Sequence, residues 1–329
     1  MKENDMRFQL DNFLLHPDNF ITYNQKIDIY AEINKCVGYL SEILKNHPMD
    51  FYRYVSSLDS KYSEPDKKTH DTHSMKQVKH LINIVKFIPP KYNINENEII
   101  EMQKGVLNHD LGKGIEPIMG FVNNNGYLGQ AEFLFVQQHP VIGYLIVKEL
   151  GKIEIDDEFK DGSNDFYIDL LKRLDEGWKE IVFHHERNDG KGYPLRLKGD
   201  KIPIGAQIAS VGDAHDAIVH NRIYDEADSL FFAEEDLKRC SNQTFKKDKL
   251  RIYNIKKIEN MKKRYEKKFI PKLIEHIERN TRFEISRSEL PCSEERLIEK
   301  YLELRTTAED QFNPEMVEAY LKGLKIKIT

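Results

Sequence analysis

Cysteine is scarce: Cys36, Cys240 and Cys292 are the only three in the chain, far apart and without a Cys-x-x-Cys pair. That excludes a disulfide scaffold or a zinc knuckle and fits a reducing cytoplasm. Long apolar runs are missing too. No stretch of about 18 apolar residues occurs, so a membrane-spanning helix is not expected. The opening Met1-Lys2-Glu3-Asn4-Asp5 has neither the basic region nor the apolar stretch of a signal peptide, so secretion is not expected either. Strand-like alternation is equally scarce. What is present is 329 residues with 40% hydrophobic, 10% aromatic and 32% charged content. This composition describes a soluble globular protein of one large domain or two, long enough to bury a core without staples.

Net charge is small, 50 Lys/Arg against 55 Asp/Glu, but it is unevenly spread. Between Lys238 and Arg287 there are 17 basic and 6 acidic residues, so this stretch carries +11 and the rest of the chain −16. Ile252, Ile255, Ile258, Met261 and Tyr265, then Ile270, Leu273, Ile274 and Ile277, recur at helical spacing, with Pro271 starting a second helix or bending the first. One reading is a pair of amphipathic helices with a solvated lysine face. The other is an arm that attracts an anionic partner, whether nucleic acid, nucleotide or acidic membrane surface.

Elsewhere the periodicity is also helical. Apolar residues step by three and four from Ile27 through Tyr30, Ile33, Val37, Leu40 and Leu44, and again from Met75 to Ile88 before Pro89-Pro90. Asn95 with Glu98 predicts a capping box for a helix over Ile99–Leu107, ended by Gly112 and Gly114. Pro140 opens a helix that Gly151 closes, and further helices are predicted over Phe166–Leu174, Trp178–His185 and Ile204–Val219. Lys61–Lys68 and Asp156–Asp165 read as polar loops. The expected fold class is therefore all-α, with no internal repeat.

Of the twelve histidines, five fall at or near predicted helix ends: His73, His109 followed by Asp110, His139, and the pair His184-His185. Asp213 follows within the Ile204 helix. For any one of them a capping or half-buried core role is the ordinary explanation; the constellation is what points further. Neutral imidazoles and carboxylates are the ligand set of iron, manganese or zinc, and Asp110 has two oxygens with which to bridge two ions. Two ions about 3.5–4 Å apart can clamp the attacking and leaving oxygens of an in-line displacement at phosphorus and generate hydroxide at neutral pH.

These residues have a familiar arrangement. His109-Asp110-Leu111-Gly112-Lys113 resembles the signature of the HD phosphohydrolases. The run His184-His185-Glu186-Arg187-Asn188-Asp189-Gly190-Lys191-Gly192-Tyr193-Pro194, followed by Leu197-Lys198-Gly199 and Ile202-Pro203, resembles the HD-GYP subfamily of cyclic-dinucleotide phosphodiesterases. Asp213-Ala214-His215-Asp216-Ala217, Asn221-Arg222-Ile223-Tyr224 and the stretch Gln311–Tyr320 continue the match, which covers about 69–228 and 306–324. The resemblance implies a helical bundle around a binuclear metal site. His73, His109, Asp110 and Asp213 would hold one divalent ion and Asp110, His139, His184 and His185 the other, iron or manganese by family habit. Asp110 and Lys113 would be catalytic, Lys113 and Arg222 would meet the substrate's phosphates, and Gly192-Tyr193-Pro194 would flank the mouth of the site or hold a protein partner.

The sequence departs from the family at several points. Thr69 stands where members with a third metal carry a glutamate, which favours two ions; His70 lies one turn before His73. Asp225 replaces a usual basic position three residues after Arg222, where it would read a guanine edge, or else point to solvent or cap a helix beginning near Ala227. Insertions interrupt the pattern at about 151–177 and 230–305, and residues 1–68 form an N-terminal helical region of unknown role before the 69–329 domain. The expected function is a cyclic-dinucleotide phosphodiesterase, cyclic di-GMP first. The alternatives are a hydrolase of another nucleotide phosphate, or a non-catalytic binding protein, to which Asp225 gives some support and the intact ligand set none.

Overall fold

The computed structural model describes residues 29–58, 73–123, 128–163, 165–219, 226–281, 285, 287–291 and 293–325. Helices α1 (Ile29–Asn46), α2 (Pro48–Leu58), α3 (His73–Val85) and α4 (Glu96–Asn108) come first, then short α5 (Ile118–Asn123) and α6 (Gln130–Val136). Next are α7 (His139–Leu150), α8 (Asp165–Leu171), α9 (Trp178–Phe183), α10 (Ile204–Val219) and α11 (Glu226–Cys240). The chain ends on α12 (Lys247–Tyr265), α13 (Phe269–Asn280), α14 (Glu294–Thr306) and α15 (Pro314–Leu324). Among the described residues the only strand-like pairing is an isolated bridge between Ser241 and Asp310, so the fold is all-α as the periodicity predicts.

The predicted stripes are the buried ones. Helix α1 turns Ile29, Ile33, Cys36, Leu40 and Leu44 inward, and Ile27 lies outside the described residues. Helix α4 begins on the predicted capping box: Glu98 N–H donates to Asn95 Oδ1 (3.1 Å) and Asn95 N–H to Glu98 Oε2 (2.9 Å). The helix predicted over Met75–Ile88 stops at Val85: Pro89 disfavours helical backbone at Ile88 and has no N–H for the Val85 carbonyl. The chain tightens instead into a turn in which Phe87 N–H donates to the Ile84 carbonyl (2.9 Å) and Ile88 N–H to that of Val85 (3.2 Å). Helix α7 is apolar on nearly every side and buries nine of its twelve residues, so it sits inside the bundle, against α1, α9 and the turn after α4. Helix α15 closes the bundle by setting Met316, Val317, Ala319 and Tyr320 against α3 and α10.

A second, separate core lies in the 230–305 insertion that contains the basic segment. Ile258 and Met261 of α12, Phe269, Leu273 and Ile277 of α13, Leu290, and Leu297, Tyr301 and Leu302 of α14 pack together, while Leu237 and Cys240 of α11 still belong to the main core. Pro271 lies in the first turn of α13, where a missing N–H costs no helical bond, and a 3₁₀ turn over Glu266–Lys268 separates α12 from α13. The chain leaves and re-enters the main bundle at one neck. There Glu309 N–H donates to the Arg239 carbonyl (2.9 Å) and Gln311 N–H to the Cys240 carbonyl (2.7 Å). The Arg239 guanidinium, 1% exposed, is held at the neck by Asp236 (2.6 Å), Glu309 (2.8 Å) and the Thr307 carbonyl (2.9 Å).

Candidate metal centre

Helix α4 ends at Asn108, so His109 caps it and Asp110 enters a 3₁₀ turn, Leu111–Gly114. The turn packs directly on the start of α7. A Cβ on Gly112 would lie 2.0 Å from the His139 carbonyl oxygen, so only glycine lets Asp110 and His139 approach as they do. Because the helix does not continue past Asn108, Lys113 does not extend the face of His109; its ammonium folds back onto Asp110 Oδ2.

Three imidazoles are locked in the same way. Nδ1 of His109, His139 and His184 each meets the backbone carbonyl three residues earlier, Val106 (2.8 Å), Val136 (2.7 Å) and Ile181 (2.8 Å). That bond makes Nδ1 the donor and leaves Nε2 with a bare lone pair, the tautomer that a metal ligand needs. The Nε2 atoms converge on Asp110: His139 at 3.3 Å and His184 at 3.8 Å from Oδ1, His109 at 3.6 Å from Oδ2. His139 and His184 Nε2 are 3.2 Å apart, two acceptors facing each other, and Asp110 Oδ1 is buried without a hydrogen-bond partner. Such an arrangement asks for a cation.

Two ligand sets share Asp110. Ligand atoms of Asp110, His139, His184 and His185 lie within 4.8 Å of one another, and so do those of His109, Asp110 and Asp213. Burial would raise the Asp110 carboxyl, but the Lys113 ammonium beside it outweighs that and holds the carboxyl well below the usual range. Burial pushes His139 down, and burial with the neighbouring imidazoles pushes His184 and His185 well down, so all three stay neutral. Neutral imidazoles around an ionised carboxylate fit a divalent transition ion in donor type and in charge.

A family model for the HD domain matches residues 40–247. The chain belongs to the HD domain family. HD domains bind divalent metals, and this one has the His/Asp cluster able to hold one. Over 122 residues it is 33% identical to a probable cyclic di-GMP phosphodiesterase of Vibrio cholerae, covering 36% of this chain and 24% of the relative. A cyclic di-GMP phosphodiesterase of Thermotoga maritima is 30% identical over 159 residues, 48% of this chain and 38% of that protein. The 3'3'-cGAMP-specific phosphodiesterase 2 of Vibrio cholerae is 32% identical over 134 residues, 40% of this chain and 22% of its own. The matches thus span less than two fifths of these relatives' own length. With the His184–Pro194 run, they mark the HD domain as one of the HD-GYP type.

In this HD domain the segment after His185 is fastened to the metal centre. Tyr193 stacks on the His185 ring, centroids 4.8 Å apart and planes 27° apart. A Cβ on Gly192 would meet Glu186 Cα and Arg187 N at 2.4 Å, so the loop can fold against the histidine pair only with glycine there. Sequence reasoning missed Glu186 as a loop anchor: its buried carboxylate accepts the Leu195 N–H (2.7 Å) and the Leu197 N–H (2.9 Å). It also missed Arg187, which donates to Asp189 (2.7 Å) and Gln311 (2.9 Å) and reaches Glu309 at 3.5 Å. Glu309 also holds Arg239, so one carboxylate ties the loop to the neck of the basic segment.

Not every expected residue lies within view. His73 begins α3, but its side chain lies outside the described residues, as do Thr69, His70, Arg222 and Asp225. The described cluster therefore comprises His109, Asp110, His139, His184, His185 and Asp213, with Lys113 on the bridging carboxylate.

Proposed function

We propose that this HD-GYP protein is a metal-dependent phosphodiesterase that opens a cyclic dinucleotide, cyclic di-GMP first. The observation carrying the reading is the convergence of neutral Nε2 lone pairs on a carboxylate shared by two ligand sets. We assign two divalent ions, iron or manganese, held through Asp110 by His139, His184 and His185 on one side and by His109, Asp213 and His73 on the other. Bound there, such ions supply an activated water and charge for the phosphodiester oxygens.

The protein's own groups do the rest. Asp110 bridges, and the three backbone carbonyls keep the imidazoles in the correct tautomer. Lys113 is near enough to the bridge to turn its ammonium toward a nonbridging phosphate oxygen once cations neutralise Asp110. Arg222 is assigned to the second phosphate and Asp225 to a guanine edge. The cGAMP-specific relatives support a second reading, a mixed guanine–adenine dinucleotide, to which Asp225 would offer one guanine-reading carboxylate. The Gly192-Tyr193-Pro194 loop, fixed by Gly192 and by Tyr193 on His185, is suited to shape the mouth or to meet a protein partner. For the basic segment the first reading is a solvated lysine face and the second an anionic partner, and the free buried thiols of Cys36 and Cys240 accord with a reducing cytoplasm. Metal-loaded protein incubated with a panel of cyclic dinucleotides, products resolved by chromatography, tests the reading; linear products from guanine-containing members are expected.

A further inference from the structure

The imidazoles of the metal centre are not all held alike. His109, His139 and His184 each spend Nδ1 on the backbone carbonyl three residues back. Among the described residues His185 makes no such bond, and its ring is met by other rings instead. An imidazole turns about χ2 in a broad, roughly two-fold well, so a ligand without the carbonyl bond needs another restraint. His185 is also the outermost member of its set: Asp110, His139 and His184 are buried, and it is half-buried.

Three rings surround it. The His184 ring lies 4.1 Å away between centroids, tilted by 45°, and the His139 ring meets it edge-on at 5.0 Å with the planes at 86°. Of the three, only Tyr193 lies near parallel, 4.8 Å away and 27° off, an offset stack that covers a face of the imidazole. Tyr193 is itself anchored from both sides. Its N–H donates to the His185 carbonyl (3.3 Å), and Gly192 before it lets the chain lie against the backbone of Glu186 and Arg187. After it, the Glu186 carboxylate, 2% exposed, takes the N–H groups of Leu195 and Leu197. The loop thus returns the Tyr193 ring to the histidine from which it starts.

We propose that Tyr193 is the positioning residue of His185, doing by stacking what backbone carbonyls do for the other three imidazoles, and so sets how tightly the ion beside His139, His184 and His185 is held. The inference rests on the ligand sets assigned above. The task needs the flat face of the ring and not the hydroxyl. The other set, His109, Asp110 and Asp213, does not include His185, and its imidazole carries the carbonyl bond, so the two ions respond differently to loss of the stack.

The test is titration of the full chain, stripped of metal, with cobalt(II), followed by visible absorption, which counts the ions and reports the surroundings of each. Two ions are expected for wild type. Tyr193→Phe keeps the stack and should match wild type at both. Tyr193→Leu has similar bulk but no flat face; it should weaken one ion by about 10–100-fold, the usual loss when the partner of a ligand histidine is removed, and alter that ion's absorption. Should Tyr193→Leu fail to fold, Tyr193→Val, smaller and equally without a ring, decides. His185→Ala should lose the same ion. If His185→Ala loses an ion while Tyr193→Leu binds both as wild type does, the positioning role is overturned and the ligand assignment stands. If His185→Ala keeps both ions, or wild type takes fewer than two, the ligand assignment fails and the inference with it. Equal weakening in Tyr193→Phe and Tyr193→Leu would also overturn it.

Discussion

Asp110 faces two demands, to stay ionised at full burial and to offer an oxygen to each ligand set, and its neighbours meet both. Asp110→Ala should therefore remove metal from both sets together and abolish turnover, as elemental analysis beside a hydrolysis assay would show. Lys113→Ala should leave metal content intact while lowering kcat by roughly 10²–10³-fold, the usual loss for one electrostatic donor; full activity would take Lys113 out of the mechanism. These residues were legible because motif and ligand chemistry are local: His109 adjoins Asp110, and His184 adjoins His185. The buried Glu180 of α9 was not legible, because its environment is made by Gly105 and Gly205, distant in sequence. Its pH signature follows from linkage. The folded state holds the Glu180 proton to about 8, whereas the unfolded chain releases it near the ordinary 4.5. Between those values the unfolded state binds fewer protons, so stability falls as pH rises, by up to about 1.4 kcal/mol per unit. Urea titrations of wild type and Glu180→Gln from pH 5 to 8 should show that slope flattened in the variant; identical slopes would refute the assignment.

At the scale of elements, the centre depends on how closely the turn after α4 approaches α7. Gly112→Ala would push the added methyl onto the His139 carbonyl and separate two ligand-bearing elements, so we expect metal loss and destabilisation of at least the roughly 1–3 kcal/mol typical of overpacking. Thermal unfolding with and without added manganese would measure both effects. Helices α1, α4 and α7 could be read from stripes, a capping box and Pro140, because local spacing and backbone chemistry determine them. The neck could not, since Arg239 and Glu309 stand 70 residues apart and a buried arginine has no local signature. There Asp236 is flanked by Arg239 (2.6 Å) and Arg305 (2.5 Å), and these guanidinium groups hold its carboxyl low against burial. Asp236→Ala would strip both arginines of this partner, and the expected loss is about 3–5 kcal/mol, as for breaking a buried ion pair. Chemical denaturation settles it: a variant within 1 kcal/mol of wild type would mean that the neck ion pairs contribute little.

For the whole molecule, the 230–305 insertion that contains the basic segment builds its own core and joins the bundle through one neck. Charge segregation made the segment visible in the sequence, but its separateness emerges only from which apolar residues touch. Because Ser241 and Asp310 pair across the neck, replacing residues 244–305 by a short Gly/Ser linker closes a gap that is already bridged. The shortened protein should fold cooperatively and retain its metal, with some stability lost with Arg305; failure to fold would show that the segment is integral to the bundle. The shared carboxylate and the inward imidazoles are proposed as a two-ion phosphodiesterase centre. Its most direct test is single-turnover hydrolysis of cyclic di-GMP by wild type and Asp110→Ala, each loaded anaerobically with iron or manganese and assayed for metal in the same sample. About two ions per chain and a linear product are expected for wild type, and neither for the variant. Wild-type protein that carries two ions yet leaves every cyclic dinucleotide intact would contradict the assignment.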